Sequence, residues 1–557
     1  MLSARNSGIV RATIHIVFVT ALILAAPISR AAGGGCAPAA HTFCVTNTSD
    51  TTDPGSLRAA ITAANTAGGT NTIGFNIGGS GVHTISLGSQ LPPIATNLTI
   101  DGFSQPGSVQ NTNAPDQGGL TTQLMIEIVG TAGIGFYYSA ASFLTLTFQG
   151  LALRGFSDVI NGQSGTSTPK AKINVYGCFI GTKVDGTALA TTGNGGTAVR
   201  VGYDNAQIGG TQPWQRNLLS GNGGSAVLTA PYDPTSSVVI EGNLIGTDAG
   251  ATQPIPNGTA TNWGGIYAGG AGRNLRIGCT ATGGGCASTA SRNIISGNNA
   301  QGIFVAPDAA GTHFSGLEIK GNYIGLGWNG AALPNRFPEL TSITAGGGIR
   351  VASSNEMSPA IIGGFGPGEA NTIAFNRGPG INGMDLFTGA YSYFDSRANK
   401  VHDNAGPGQT NIAIGISSSE PLANDAADPD TGSNGQQNWP EILTAEPVRG
   451  SGQVSLKVTY KVTSTPVNAL YPLRVDFYFA ANGGTGLWFA TDSYPDSAAQ
   501  GYVTATVPIT LSVVGPGPWY AFWGPVVAIA TSASGYSSEI SPVTNDWIFG
   551  DGFEGAP

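Results

Sequence analysis

Between Lys172 and Met384 the chain alternates short apolar runs with small polar residues. Runs such as Val238-Val239-Ile240 and Gly302-Ile303-Phe304-Val305 are bounded by Gly, Asn, Asp and Pro. Three to five β-branched or aromatic residues between turn formers predict short strands, since no apolar face persists at helical spacing. The pattern also recurs. Phe179-Ile180-Gly181-Thr182, Gln207-Ile208-Gly209-Gly210 and Asn217-Leu218-Leu219-Ser220-Gly221-Asn222 return as Asn243-Leu244-Ile245-Gly246-Thr247, Arg276-Ile277-Gly278 and Asn293-Ile294-Ile295-Ser296-Gly297-Asn298. They return again as Asn322-Tyr323-Ile324-Gly325, Ile361-Ile362-Gly363-Gly364 and Asn371-Thr372-Ile373-Ala374-Phe375-Asn376. From Gly181 to Gly246 is 65 residues, and from Gly246 to Gly325 is 79. A repeat of this length predicts several turns of a solenoid, each adding short strands to parallel sheets. With coils of about 20–25 residues, the solenoid is expected to run from residue 71 to residue 422.

Within each repeat two Asn lie five positions apart: Asn217 and Asn222, Asn293 and Asn298, Asn371 and Asn376. Asn suits bends because it tolerates left-handed backbone and bonds nearby main chain. The fixed spacing further predicts stacking of these six side chains into amide ladders. Longer interruptions, at Gly107–Leu120, Ala249–Trp263 and Leu333–Ala345, read as loops. Ahead of the solenoid, Phe43-Cys44-Val45-Thr46-Asn47-Thr48 reads as a strand. A helix follows, with Asp53 as cap, Pro54 at its first position, and Leu57, Ala60, Ile61 and Ala64 on one face. It would cover the open end of the solenoid. Behind the solenoid, Val454–Tyr460, Leu473–Phe479, Tyr502–Val507 and Val526–Thr531 alternate cleanly, which predicts an antiparallel β-sandwich over 442–543.

The words Val45-Thr46-Asn47-Thr48, Pro54-Gly55-Ser56-Leu57-Arg58-Ala59-Ala60-Ile61 and Ala64-Asn65 resemble the CSLREA-type segment that opens many exported bacterial right-handed parallel β-helix proteins. Asn71-Thr72-Ile73-Gly74-Phe75-Asn76-Ile77, Leu91-Pro92-Pro93-Ile94 and Thr99-Ile100-Asp101-Gly102-Phe103-Ser104-Gln105-Pro106-Gly107 continue the likeness. The name-giving word is altered here to Gly55-Ser56-Leu57-Arg58-Ala59-Ala60. Ala530–Glu539 resembles the last strand of the Ig-like modules that follow such β-helices. The likeness, over roughly residues 43 to 440, implies an all-β architecture: a right-handed parallel β-helix with a short capping helix, then a sandwich. It implies no single activity.

Composition sharpens this picture. Charged residues are 10% of 557, Gly numbers 85, and hydrophobic residues reach 41%. That combination fits an extended β protein with neutral polar faces. The net charge of −9 comes without any Lys/Arg cluster, so nucleic acid is not an expected partner. Arg5 and Arg11, the apolar run Ile14–Ala26 and Ser29-Arg30-Ala31 read as a signal peptide over 1–31, with no transmembrane span in the mature chain. Export permits disulfides, and Cys36–Cys44 and Cys279–Cys286 are the local pairs expected. Cys178 reads as a buried small residue. The remaining divisions are a strand and capping helix at 32–70, an acidic linker at 423–441 and a tail at 544–557.

Chemistry is sparse. There is no His-Glu-x-x-His pair, nucleophile elbow or phosphate loop. Asp425, Asp428 and Asp430 offer carboxylates for calcium, the one cofactor suggested, although their spacing departs from the twelve-residue calcium loop and a solvated linker explains them too. The densest ionisable patch, Asp395, Arg397, Lys400, His402 and Asp403, holds residue types that a polysaccharide lyase or hydrolase needs. The expected function is a secreted or cell-surface scaffold that binds a glycan or other surface polymer without catalysis. The alternatives are a polysaccharide lyase or glycoside hydrolase of the pectate-lyase-like type, and a purely structural matrix protein.

Overall fold

A computed structural model describes residue 36 and residues 42–544, except 140–142, 163–170, 192, 230–235, 259–263, 270–273, 280–285, 287, 307–315, 336–346, 353–358, 384–390, 406–411, 417–421, 450–453 and 510–524. The segment expected as a signal peptide, most of the C-terminal tail and the loop centres at 280–285 and 336–346 therefore lie outside the described residues. Short strands of the repeat stack in register into three long parallel sheets, a parallel β-helix. Sheet 1 has 11 strands, from Phe43–Val45 to Phe394–Arg397. Sheet 2 begins at His83–Ser86, and sheet 3 has nine strands from Phe136–Tyr137 to Ile414–Gly415.

The period of two explains the core. In sheet 1, Val175, Ile208, Ile240, Ile277, Ile319 and Ile362 occupy successive rungs and point inward. In sheet 2, Ile180, Leu219, Ile245, Ile295, Ile324 and Ile373 do the same, all fully buried. After these residues, Gly181, Gly246 and Gly325 turn the chain at φ of 97°, 88° and 91°, a region that side chains with a Cβ rarely enter.

Both corners of sheet 2 are stitched by asparagine. Between sheets 1 and 2 the side chains of Asn217, Asn243, Asn293, Asn322, Asn371 and Asn399 donate each to the next, Nδ2 to Oδ1, at 2.9–3.0 Å. Between sheets 2 and 3, Asn194, Asn222, Asn257, Asn298, Asn335, Asn376 and Asn404 form a second ladder at 2.8–3.0 Å. Asn293 shows the bonding in full. Its Oδ1 accepts from the backbone N and Nδ2 of Asn243, both at 3.0 Å, while its Nδ2 donates to the Ile240 carbonyl at 2.8 Å and to Asn322. All four bonds available to an amide are made inside a buried corner.

The six Asn of the repeated phrase are thus every second rung of two different ladders, and none touches another of the six. The missing rungs belong to intervening coils. Sequence separations along the first ladder are 26, 50, 29, 49 and 28 residues, so at this corner short and long steps alternate; along the second they are 28, 35, 41, 37, 41 and 28, and all exceed the 20–25 expected. The long coils carry extra turns before the ladder residue, including the 3-10 turns Pro213–Gln215 and Thr289–Ser291.

Each end of the solenoid has its own cover. At the start, helix α1 spans Leu57–Ala67 and buries Leu57, Ala60, Ile61 and Ala64. Its N-cap is Ser56, whose hydroxyl accepts from the Ala59 N–H, not Asp53. Pro54 and Gly55 form a turn ahead of it, with Gly55 at φ 89°. The Cys36–Cys44 disulfide tethers the first strand, with Cα atoms 5.7 Å apart.

At the far end stands a sandwich of two antiparallel sheets. Glu441–Arg449, Val454–Lys461 and Val503–Pro508 form one; Gly484–Tyr494, Leu473–Ala481 and Val526–Thr531 form the other. The second continues solenoid sheet 2 through the antiparallel pair Val401 and Thr485. Strand Leu473–Ala481 is buried on both faces. Val475 and Phe477 enter the sandwich core, while Tyr478 joins the solenoid core and its hydroxyl accepts from Ala398 N at 3.1 Å.

Replacing Asn293 with Ala strands the Asn243 donors, the Ile240 carbonyl and Asn322 Oδ1 in that corner. We expect a loss of about 2–4 kcal/mol in urea unfolding. A loss below about 0.5 kcal/mol, within the range of a surface change, would show that the ladder adds nothing.

Candidate metal centre and charged junction

The segment 423–441, expected as a solvated linker, is packed against the last coil. Asn434 Nδ2 donates to the Phe394 carbonyl at 3.0 Å and the Ser537 carbonyl at 2.7 Å, and its Oδ1 accepts from Phe394 N at 2.7 Å. Asn therefore plays here the bridging part it plays in the ladders, from outside the repeat.

Within this segment Ala427 and Asp428 take left-handed backbone, at φ 73° and 61°, and fold the three acids into one turn. One carboxylate oxygen each from Asp425, Asp428 and Asp430 lie within 4.8 Å of one another. Asn438 fixes the turn: its Oδ1 accepts from Asp425 N at 3.2 Å, and its own N–H donates to Asp428 Oδ1 at 3.1 Å. Gln437 Nε2 donates to the other Asp428 oxygen at 2.7 Å. Thr465 and Asn468 of the sandwich donate to the Ala427 carbonyl, which ties the turn to its neighbour.

The electrostatics of this turn are unfavourable as it stands. Burial pushes the Asp428 carboxyl up to about 7, and the charges of Asp430 and Asp425 add to that. Burial, then Asp425, raises Asp430 as well, and the Asp430 Oδ1 atom is buried without a hydrogen-bond partner. Converging hard oxygens, mutual repulsion and an unsatisfied acceptor fit a divalent cation such as calcium.

The second charged patch divides between two sheets. Asp395 and Arg397 lie on strand Phe394–Arg397 of sheet 1, whereas Lys400 and His402 lie on Lys400–His402 of sheet 2. Asp395 is buried and held by two guanidinium groups, Arg397 at 2.6 Å and Arg474 of the sandwich at 2.7 Å. Arg474 also pairs with the fully buried Asp476 at 2.9 Å. His402 Nδ1 lies 2.7 Å from Asp403, which sits at φ 54° and donates its N–H to the Asn482 carbonyl at 3.1 Å. The structure thus joins Asp395 with Arg397, and His402 with Asp403, and leaves Lys400 apart from both pairs.

Arg474 and Asp476 escaped the sequence reading, which saw only clean alternation from Leu473 to Phe479. Their signal was the spacing: charged residues at alternate positions share one strand face. Here that face meets the solenoid. Of the cysteines, Cys279 and Cys286 are bridged with Cα atoms 5.4 Å apart. Cys178 is free and buried, which pushes its thiol up to about 12. No helix among the described residues is long and apolar enough to cross a membrane.

Arg474→Met leaves Asp476 without its cation in a buried site and takes one of the two cations from Asp395. The expected loss is about 3–5 kcal/mol, with faster proteolysis within 423–441. Unchanged unfolding and an unchanged digestion pattern would contradict a junction held by this arginine.

A scan of the chain against protein-family models and a search of curated proteins each found no match.

Proposed function

We propose that this chain is an exported, non-catalytic β-helix that presents a rigid binding surface to extracellular polysaccharide or a cell surface. The resemblance of residues 43–107 to CSLREA-type openings, the apolar leader over 1–31 and the Ig-like pattern of the C-terminal module support export. One observation carries the non-catalytic reading. Of the carboxylates expected for chemistry, Asp395 is committed to ion pairs, one of which fastens the sandwich to the solenoid, and Asp403 is paired with its neighbour His402. A glycosidase instead needs two carboxyl groups facing a substrate across about 5–9.5 Å.

Calcium is the cofactor this reading includes. Asp425, Asp428 and Asp430 would hold it, and its charge would relieve their repulsion where the acidic turn meets the sandwich. Held there, the ion would act as a staple where this turn, tied to Thr465 and Asn468, meets the sandwich.

Two experiments test the proposal. Chelator-treated protein is titrated with calcium while its melting is followed. A rise in Tm of about 2–4 °C or more is expected at saturating ion, abolished in Asp425→Asn and Asp430→Asn. No rise in the parent protein rejects the staple. Separately, purified protein is incubated with pectate, alginate and glycosaminoglycans, with and without calcium. Retention on a polysaccharide without unsaturated products or new reducing ends is expected. Product formation would establish the lyase or hydrolase reading, and absence of any binding would leave the purely structural one.

A further inference from the structure

Arg216 and Arg292 occupy equivalent positions in the repeat, each after a 3-10 turn and just before a ladder residue, Asn217 or Asn293. Arg216 is fully buried and partly satisfied by the protein. Its Nε donates to the Gly242 carbonyl at 3.1 Å and its Nη1 to the Asn113 carbonyl at 2.9 Å. Asn113 belongs to the loop that follows Gly107. This loop reaches across the coils to put Asn111 Nδ2 2.8 Å from the Pro213 carbonyl.

Arg292 has no such cover. Its guanidinium lies 4.0 Å from the centroid of the Tyr323 ring, and its Nε is buried with no hydrogen-bond partner. Along the outer face of sheet 2, Tyr323 is followed by Thr372 and then Lys400 on successive rungs. At about 4.8 Å per rung, these three positions span the reach of two sugar rings in an extended chain. All four side chains are half-buried, open enough to touch a ligand. Trp328, also half-buried, packs in the same outer apolar cluster as Tyr323.

Neither Arg292 nor Lys400 forms an ion pair or side-chain hydrogen bond among the described residues. The acid whose field reaches Arg292 is Asp116, exposed on the covering loop. Burial lowers the pKa of both groups, and for Lys400 the neighbouring charge of Arg292 adds to the effect. Two cations that repel each other, on a protein with net charge −9, form a local field for a negative ligand. The Tyr323 ring, with the guanidinium over its face, holds Arg292 in place.

We propose that Arg292, Tyr323, Thr372 and Lys400 form a subsite for an acidic sugar unit of a polysaccharide, bearing a carboxylate or a sulfate ester. The two cations meet the anionic group, Thr372 offers a hydroxyl between them, and the Tyr323 ring holds the Arg292 guanidinium in place. This assignment rests on the glycan-binding reading above and gives it a place and a charge.

The test measures binding of full-length protein to polygalacturonate, to heparin and to neutral dextran. The parent protein, Lys172→Gln on the exposed face of sheet 1, and the double variant Arg292→Gln/Lys400→Gln are compared. Binding of one or both acidic polymers, at least about tenfold weaker in the double variant and unchanged in Lys172→Gln, is the expected result. Preference for polygalacturonate or heparin identifies the carboxylate or the sulfate as the group recognised. The charge-preserving Lys400→Arg should retain affinity, which separates loss of charge from loss of folding. Equal affinity in the parent and double variant overturns the subsite while leaving the glycan-binding reading intact. Binding of dextran alone also overturns it. No binding to any polymer removes both.

Discussion

The constraint on which this molecule depends is the need to satisfy amide groups at corners buried from solvent. A solenoid's sheets pair their own backbone along the axis, but the bends between sheets leave donors and acceptors that neither sheet can reach. Asn solves this because its side chain reproduces a peptide group, with two donors and an acceptor that takes two bonds. Every rung hands its neighbour the group it lacks. Even the terminal rungs are served: Cys178 N donates to Asn217 Oδ1 at 2.9 Å, and Asn399 Nδ2 donates to Ser396 Oγ at 3.1 Å. Register across the coils follows, because a slipped strand would break both ladders together with the inward rows of Ile and Leu.

A stacked structure of this kind has edges, and the ends are treated differently. The start uses a short apolar helix and a disulfide. The finish uses a folded module whose strands face two cores at once. On Leu473–Ala481, alternation sends one set of side chains into the sandwich and the other against the last coil, where Arg474, Asp476 and Tyr478 replace solvent with specific contacts. Sandwich and solenoid therefore share a hydrogen-bonded sheet. The acidic turn lies beside this junction, which is why a cation there would act on the assembly more than on either part.

Much of the fold was legible in the sequence, because local rules and the global answer agree in the repeat. Alternating Ile and Val, Gly at the bends and Asn at fixed offsets each pointed to parallel stacking, and Leu57, Ala60, Ile61 and Ala64 marked the capping face. The coil length was misjudged because even the short coils run to 26–29 residues, and turn insertions before the ladder residue lengthen every second one further without altering the repeated words. The junction was hidden for another reason. Asp395 meets Arg474 across 79 residues and Asn434 meets Ser537 across 103, and neither pairing has a local signature. Arg292 drew no reading in the chain, and Lys400 was grouped with Asp395. Only the stacking of rungs brings them to one face.

The alternation of short and long steps at the corner between sheets 1 and 2 has a consequence for how such a molecule can change in length. A single added coil would set two long coils, or two short ones, side by side and disturb the stacking of their turns. An added pair preserves the sequence of neighbours, both asparagine ladders and the two closures. The natural step of growth is therefore two coils, the span of the repeated phrase. A gene for this chain could lengthen by that unit while the helix at one end and the sandwich at the other remain as they are.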